Sequence, residues 1–397
     1  GMADEVGMSN TSTVRENEII KAMTEIELLP AIVEEPVSVE KYSKLPLSNI
    51  TVLGVAFEPI ASAFQHVLSG GSAGGSGLYM VTVPKGGHLA TFNDGSGFLG
   101  GALKINNQVG AGQARLNPLI CDPTMLFMAM ALANINKKLD SIQEIQQEIL
   151  SFLAQKERSE LKGDIRFLTD TLSNFKFNWN SEKYKNSNHV KALDIRQAAE
   201  RKIDFYREQI ALKISKKSLF HSDQDVKEQL DKIESEFKDY QLALYLYSFA
   251  SFIEILLLEN FDAAYLECIS KKIEEHSTQY EELYTRCYNQ LEEYAKSSVQ
   301  SHLLKGLASV GKAAGEAIAK VPVISKSQID ETLIRTGERL GSYNIRRTEQ
   351  TMKQFIEKQS AYVRPFVEMI ATVNRLYNEP FELLFDEENL YLASAEA

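Results

Sequence analysis

Apolar residues recur every three or four positions through the stretch 121–180, and this spacing predicts long amphipathic helix. Between positions 125 and 142 the strides are 3, 4, 3, 4 and 3, the heptad stripe of a helix packed along its length. Asp122 is a good N-cap, and Pro123 suits the first helical position because no backbone donor is needed there. The helix is therefore expected to begin at Pro123.

This stripe is interrupted at the charged patch 156–160. It resumes over 161–179 with strides of 4, 3, 4, 3 and 4. Gly163 weakens a helix interior by roughly 1 kcal/mol relative to Ala. The pattern is compatible with one continuous rod of about 80 Å, and the alternative is a bend near 156–163.

Helical periodicity continues through the rest of the chain. A polar loop is expected over 180–188, and the tail 380–392 is expected to dock as an extended segment. The most apolar run, 242–258, is short for a membrane span and contains Glu254, which favours a buried core helix. The later helices are expected over approximately 189–217, 222–258, 265–296, 327–340 and 345–377.

The first 120 residues have a different pattern. Residues 1–47 are acidic, and Thr13 with Glu16 forms a capping-box pattern that predicts a short helix. Residues 48–120 hold most of the 22 glycines and only five formally charged residues. Within them a helical face follows Pro59. The β-like runs, separated by glycine turns, are 50–55, 78–83, 88–92, 98–105 and 109–116.

These patterns together predict a mainly α fold. We expect an elongated bundle of long amphipathic helices with a small glycine-rich antiparallel β unit near the N-terminus. Three parts are predicted: an acidic arm over 1–47, a glycine-rich β-containing unit over 48–120, and a long-helix bundle over 121–397. The bundle includes a small-residue amphipathic segment at 303–323.

The net charge indicates which partners are unfavourable, and the cysteines indicate the compartment. The formal net charge of −11 argues against nucleic acid or an anionic membrane as the main partner. Cys121, Cys268 and Cys287 have no metal-ligand spacing and indicate no disulfide framework. A reduced compartment follows, so we expect a bacterial cytoplasmic protein.

Catalytic motifs are matched only in part. Residues 70–74 match G-x-S-x-G, but a nucleophile elbow needs a strand before the serine and a helix after it, and a flexible loop is favoured. The same loop lacks the Lys-Ser/Thr ending of a phosphate-binding loop. None of the six histidines stands in an E-x-x-H or H-E-x-x-H pattern. No metal and no cofactor is therefore expected.

Two groups of residues are candidate sites. Glu254 and His276 fall on the seams of successive helices, and they would form a buried polar pair if those helices are antiparallel neighbours. The alternative is that each faces solvent or a hydroxyl. Glycine-rich turns would expose backbone amides to a small ligand or glycan, although tight hairpins without a ligand give the same pattern. The residues of these turns are Lys85, Gly86, Gly87, His88, Asn93 and Asp94.

The lack of catalytic motifs favours a non-enzymatic scaffold or protein-interaction protein, with another protein or a second copy as its partner. The layout of long helices with an apolar glycine-bearing segment is similar to that of α-helical pore-forming toxins. This resemblance implies a secreted protein in which 303–323 or 48–120 inserts into a membrane. The GxxxG match at 311–315 also suits a helix tucked inside a bundle. A third hypothesis is an enzyme with a site between the β unit and the bundle.

Overall fold

The fold is that of a computed structural model. It describes residues 25–33, 41–70, 77–84, 117–154, 159–215, 223–297 and 362–393. Most of these residues are helical, and a small antiparallel sheet includes the strands near the N-terminus. The mainly α fold class predicted from the periodicity is confirmed.

The elements are numbered in chain order. The helices are α1 (Ser48–Thr51), α2 (Glu58–Gly70), α3 (Pro123–Ala154), α4 (Ser159–Asn178), α5 (Glu182–Ser215), α6 (Asp223–Leu258), α7 (Ala263–Ser297) and α8, described over 362–378. A 3₁₀ turn, Val55–Phe57, precedes α2. The strands are β1 (Ile26–Leu28), β2 (Ala31–Ile32), β3 (Tyr42–Pro46), β4 (Tyr79–Val83), β5 (Leu119–Cys121), β6 (Phe381–Phe385) and β7 (Asn389–Ala393).

Helices α3 and α4 form a hairpin. Asp122 is the N-cap of α3, since its carboxylate accepts a hydrogen bond from the Thr124 amide at 2.9 Å. The amide group of Gln146 in α3 donates to the hydroxyl of Thr169 in α4, 23 residues later. A straight helix would separate these two residues by roughly 35 Å. The continuous rod is therefore wrong, and the chain folds back between 154 and 159.

The expected polar loop at 180–188 is also wrong. Helix α4 ends at Asn178, and α5 already begins at Glu182. The backbone amide of Tyr184 donates to the hydroxyl of Ser181 at 3.3 Å, so Ser181 serves as the N-cap. The polar residues that favour a loop are therefore the first turns of a helix, because a cap residue and a buried opposite face outweigh local polarity.

Helix α6 is the central helix of the described bundle. It packs against α4, α5 and α7. Contacts of Arg196 with Glu254 and of Lys213 with Glu236 show that α5 runs antiparallel to α6. Since α5, α6 and α7 follow one another with short connections, each pair of consecutive helices forms a hairpin, and α6 belongs to both.

Helix α8 covers another side of α6. The ring of Phe249 stacks on the ring of Phe366 at 4.8 Å, and Tyr245 contacts the same ring edge-on at 5.6 Å. Near the end of α6, the side chain of Asn378 donates to the carbonyl of Phe261 at 2.8 Å. The apolar part of α6 is thereby enclosed by helices from before and after it in the chain, as expected for the core helix predicted at 242–258.

The larger sheet joins distant parts of the chain. Its strand order is β2-β4-β6-β7-β3, and every neighbouring pair is antiparallel. The tail predicted as an extended segment forms the hairpin β6–β7, which lies between strands of the N-terminal region. Phe64 of α2 packs on Phe385 of β6 at 5.2 Å and joins this helix to the sheet. A separate antiparallel pair is formed by β1 and β5.

The region 48–70 differs in part from its prediction. The β-like run at 50–55 is not a strand, because Ser48–Thr51 forms a helical turn and Val55–Phe57 a 3₁₀ turn. The helix predicted after Pro59 is confirmed as α2, and the strand predicted at 78–83 is confirmed as β4. The four residues predicted to share one face of α2 are all buried: Ile60, Ala63, Phe64 and Val67.

Several predicted segments lie outside the described residues. They are the short helix of the N-terminal arm, the β-like runs over 88–92, 98–105 and 109–116, the small-residue segment 303–323 and the helix at 327–340.

Candidate functional site

Glu254 lies in the interface between α5 and α6. It is 5% exposed, although it belongs to the most apolar stretch of the chain. Nε of Arg196 donates a hydrogen bond to its Oε2, and Nε2 of His189 lies 3.5 Å from its Oε1. The second distance is too long for a good hydrogen bond, so this contact is an ion pair only when the imidazole is protonated. A nearly buried carboxylate is thus neutralised mainly by one guanidinium.

Other basic residues of α5 are paired in the same way. Nζ of Lys185 lies 2.6 Å from Glu259 and 3.0 Å from Glu182, and the lysine is 3% exposed. Burial alone would lower the pKa of Lys185, but the hydrogen bonds from its ammonium to Glu259 and Glu182 raise it above the ordinary value. Near the other end of α5, Lys213 contacts Glu236. We call this series, from Lys185 to Lys213, the α5 ionic ladder.

His276 lies on α7 and faces a different partner from the predicted one. Its ring contacts the ring of Tyr247 edge-on, with centroids 4.8 Å apart. Tyr247 and Glu254 are seven residues apart on α6, which corresponds to roughly 10 Å. The structure therefore brings Glu254 to Arg196 and His189, and it brings His276 to Tyr247.

The surroundings of His276 favour the neutral imidazole. Burial lowers its pKa, and the carboxylates of Glu200 and Asp204 act in the opposite direction without reversing the shift. Its Nδ1 atom is buried without a hydrogen-bond partner in the described part of the chain. Burial also raises the pKa of Tyr247 to about 12. Both groups are accordingly uncharged near neutral pH.

Another buried polar contact joins α6 to α7. Nε2 of Gln241 donates to the hydroxyl of Tyr280 at 2.8 Å, and both residues are buried. Burial raises the pKa of Tyr280 well above its ordinary value. A small cavity of about 10 Å³ lies between α3 and α8, beside Asn134 and Thr372, and it is no larger than a water molecule requires.

Three exposed apolar side chains lie on neighbouring segments of the described surface. Val52 is 56% exposed, Val55 83% and Phe177 60%. They belong to the loop between α1 and α2 and to the end of α4. A Cβ atom added to Gly54, which has φ +102°, would lie 3.3 Å from Cε1 of Phe177, so this ring packs directly on the glycine. We call these three side chains the Phe177 patch.

The Phe177 patch is held on a packed base. Phe57, which follows Val55 by two residues, is fully buried and packs on the ring of Trp179 at 5.5 Å. Nζ of Lys176 lies 3.5 Å from the carbonyl of Val52 and 5.0 Å from the centroid of the Phe177 ring. The exposed side chains therefore have a defined position relative to one another.

The ligand site in the glycine-rich turns stays a prediction. All six of its residues lie outside the described part of the chain: Lys85, Gly86, Gly87, His88, Asn93 and Asp94. Among the described residues, no group of three or more His, Cys, Asp or Glu side chains is arranged to hold a metal ion.

One described helix is long and apolar enough to cross a membrane. It covers 231–258 of α6, and 94% of its most apolar window is buried inside the fold. Length and composition alone pass this test, and a core helix of a soluble protein passes it equally. Its enclosure by α4, α5, α7 and α8 agrees with the core-helix interpretation.

No family model matches this chain, and no curated protein or solved structure is significantly similar to it.

Sequence reasoning did not find the Phe177 patch. Phe177 lies between the seam residues Phe175 and Trp179, and an off-seam phenylalanine on a predicted helix is the one signal that was available. Its proximity to Val55 depends on the α3–α4 hairpin and on the loop after α1, neither of which the heptad stripe specifies.

Proposed function

We propose that this chain is a non-enzymatic helical scaffold that binds another protein through the Phe177 patch. The observation that carries the proposal is that three large apolar side chains on neighbouring segments are each more than half exposed. Such a group costs solubility, and on soluble proteins it commonly marks an interaction site. Its aromatic member is of a kind enriched at the energetic centre of protein interfaces.

Rigidity of the Phe177 patch supports the same conclusion. The backbone at Gly54 takes a conformation that favours glycine, and Phe57 and Trp179 fix the loop from beneath. A pre-positioned surface loses less conformational entropy when a partner binds. The free cysteines and the acidic net charge are compatible with a cytoplasmic scaffold.

The proposal is tested by selecting displayed random peptides on the full-length chain and on its Phe177→Ser variant. The matched control is Phe205→Ser, because Phe205 is a similarly exposed phenylalanine on α5. We expect peptides that are enriched on the unmodified chain and on the control but lost on Phe177→Ser. Identical peptide pools on all three proteins would contradict the proposal.

A second candidate is a protein similar to α-helical pore-forming toxins, with a segment that inserts conditionally into a membrane. The observation that favours it is the apolar length of α6 over 231–258, whose most apolar window is 94% buried inside the fold. The segments 303–323 and 48–120 belong to the same hypothesis. Release of a dye entrapped in vesicles by the full-length chain would support it, and no release across pH and lipid composition would count against it.

A further inference from the structure

Lys176 differs from three other lysines of the bundle, which are each paired with a glutamate. Lys138, Lys185 and Lys213 each have a glutamate within contact distance. Lys176 instead has the carbonyl of Val52 and the ring of Phe177, and among the described residues it has no carboxylate partner. A cation that is not neutralised therefore borders an exposed apolar surface.

This arrangement identifies the chemistry of a binding partner. A carboxylate placed near Nζ of Lys176 would gain a charge-assisted contact, and apolar side chains of the same partner would cover Val55 and Phe177. The loop 52–57 contains no charged residue that would compete for the lysine. Since the chain carries a net charge of −11, a locally cationic apolar site is also distinct from its average surface.

The size of the Phe177 patch limits what covers it. Three side chains of this size and exposure present on the order of 300 Å². A stable dimer interface needs about 800 Å² on each partner, so the patch alone is too small for a permanent contact with a second copy. An anionic bilayer would gain only about 1 kcal/mol from one lysine, and it would be repelled by the net charge.

We propose that the Phe177 patch binds a short linear segment of another protein, in which one or two apolar side chains are followed or preceded by Asp or Glu. This inference rests on the proposed function and adds the chemical class of the partner. The apolar side chains contact Val55 and Phe177, and the carboxylate pairs with the ammonium of Lys176.

The test adds a charge reversal to the peptide selection. Displayed random peptides are selected in parallel on the full-length chain, on Lys176→Glu and on Lys271→Glu. Lys271 is an exposed lysine of α7, so its variant changes the net charge equally at another place. We expect peptides rich in apolar and acidic residues on the unmodified chain and on Lys271→Glu, and peptides rich in apolar and basic residues on Lys176→Glu.

A single selected peptide then gives the magnitude. Its affinity for Lys176→Glu should fall about tenfold, as for loss and reversal of a partly exposed ion pair. Replacing its acidic residue by Lys should restore the affinity for Lys176→Glu, which a merely structural effect of the substitution would not do.

Other outcomes overturn the inference in distinguishable ways. Peptides that require Phe177 but show no acidic enrichment would overturn the partner class and leave the proposed function intact. The absence of any Phe177-dependent peptide would overturn both. Dimerisation that Phe177→Ser abolishes in sedimentation would identify a second copy as the occupant. Phe177-dependent flotation with phosphatidylglycerol–phosphatidylcholine vesicles would identify lipid.

Discussion

Helix α6 and the Phe177 patch are both apolar, but the fold places them in opposite environments. The aromatic residues Phe249 and Phe252 of α6 are fully buried, whereas Phe177 is 60% exposed. Burying a phenylalanine stabilises a fold by about 1.5–3 kcal/mol. An exposed phenylalanine does not contribute this free energy to folding, and it can contribute it when a partner binds. The comparison separates apolar residues that hold the molecule together from those available to a partner.

The charged groups of the two regions differ in the same sense. Glu254 is nearly buried, and its charge is balanced by Arg196 within the same bundle. Lys176 is only half-buried and has no carboxylate partner among the described residues. A satisfied buried pair specifies how α5 and α6 align, while an unbalanced surface cation remains available for binding. The α5 ionic ladder therefore aligns helices within the fold, whereas the Phe177 patch is the surface that we propose for binding.

The largest effect should come from truncating the core of α6. Phe249→Ala removes a fully buried ring that stacks on Phe366, and it should lower the free energy of unfolding by about 3–5 kcal/mol. Denaturant unfolding followed by circular dichroism measures this change. Phe205→Ala, at an exposed site, should change it by no more than about 0.5 kcal/mol. Equal effects of the two substitutions would show that α6 is not the core helix.

A smaller loss should follow from removing the partner of Glu254. Arg196→Met leaves a buried carboxylate whose one remaining basic contact among the described residues is His189, and it should cost about 2–4 kcal/mol, allowing for the partial exposure of Arg196. Chemical denaturation at neutral pH gives the value. The double variant with Glu254→Met should recover most of the loss, because both charges are then gone. A double variant as unstable as the single one would mean that the pair does not act through charge.

A titration effect on the order of 1 kcal/mol should come from Glu281, a half-buried residue of α7. Burial raises its pKa to about 7, above the ordinary value of 4.5. The folded state therefore holds this proton more tightly than the unfolded state, and stability falls as the pH rises from 4.5 to about 7. Glu281→Gln should consequently be more stable than the unmodified chain at pH 8 and equal to it at pH 4.

Unfolding free energies measured across this pH range test the prediction. Glu282→Gln, at the adjacent exposed position, is the control for the change in net charge. The two variants should diverge above neutral pH. Parallel pH profiles would show that the Glu281 carboxyl is solvated like that of its neighbour, which would contradict the prediction.

Periodicity predicted the helices well because burial repeats along one face. The seam residues Leu161, Ile165, Leu168, Leu172 and Phe175 are all buried as expected. The apolar stripe does not show where one helix ends and the chain turns into the next. The charged residues at 156–160 are compatible with a continuing exposed helix as well as with a turn, and only the contact between Gln146 and Thr169 decides for a hairpin.

The sequence pattern also does not identify the residue that pairs with a buried charge. Position on a seam correctly indicated that Glu254 points into the bundle. It did not indicate which neighbouring helix supplies the cation, because a central helix has several neighbours. Arg196 and His189 on α5 were passed over in favour of His276 on α7, which instead packs on Tyr247. The sheet shows the same limit, since β6 and β7 pair with strands 298 to 351 residues away in the sequence.

The smallest effect on stability should come from substitutions in the Phe177 patch. These substitutions test most directly whether the patch differs from the buried helix α6. Val55 is 83% exposed, so Val55→Ser should change the free energy of unfolding by no more than about 0.5 kcal/mol. Val190→Ser, at another exposed valine on α5, should behave in the same way. The two variants should differ only in peptide binding, which Val55→Ser reduces and Val190→Ser preserves. If Val55→Ser instead destabilises the fold like a core substitution, the patch belongs to the packed interior and the contrast with α6 is lost.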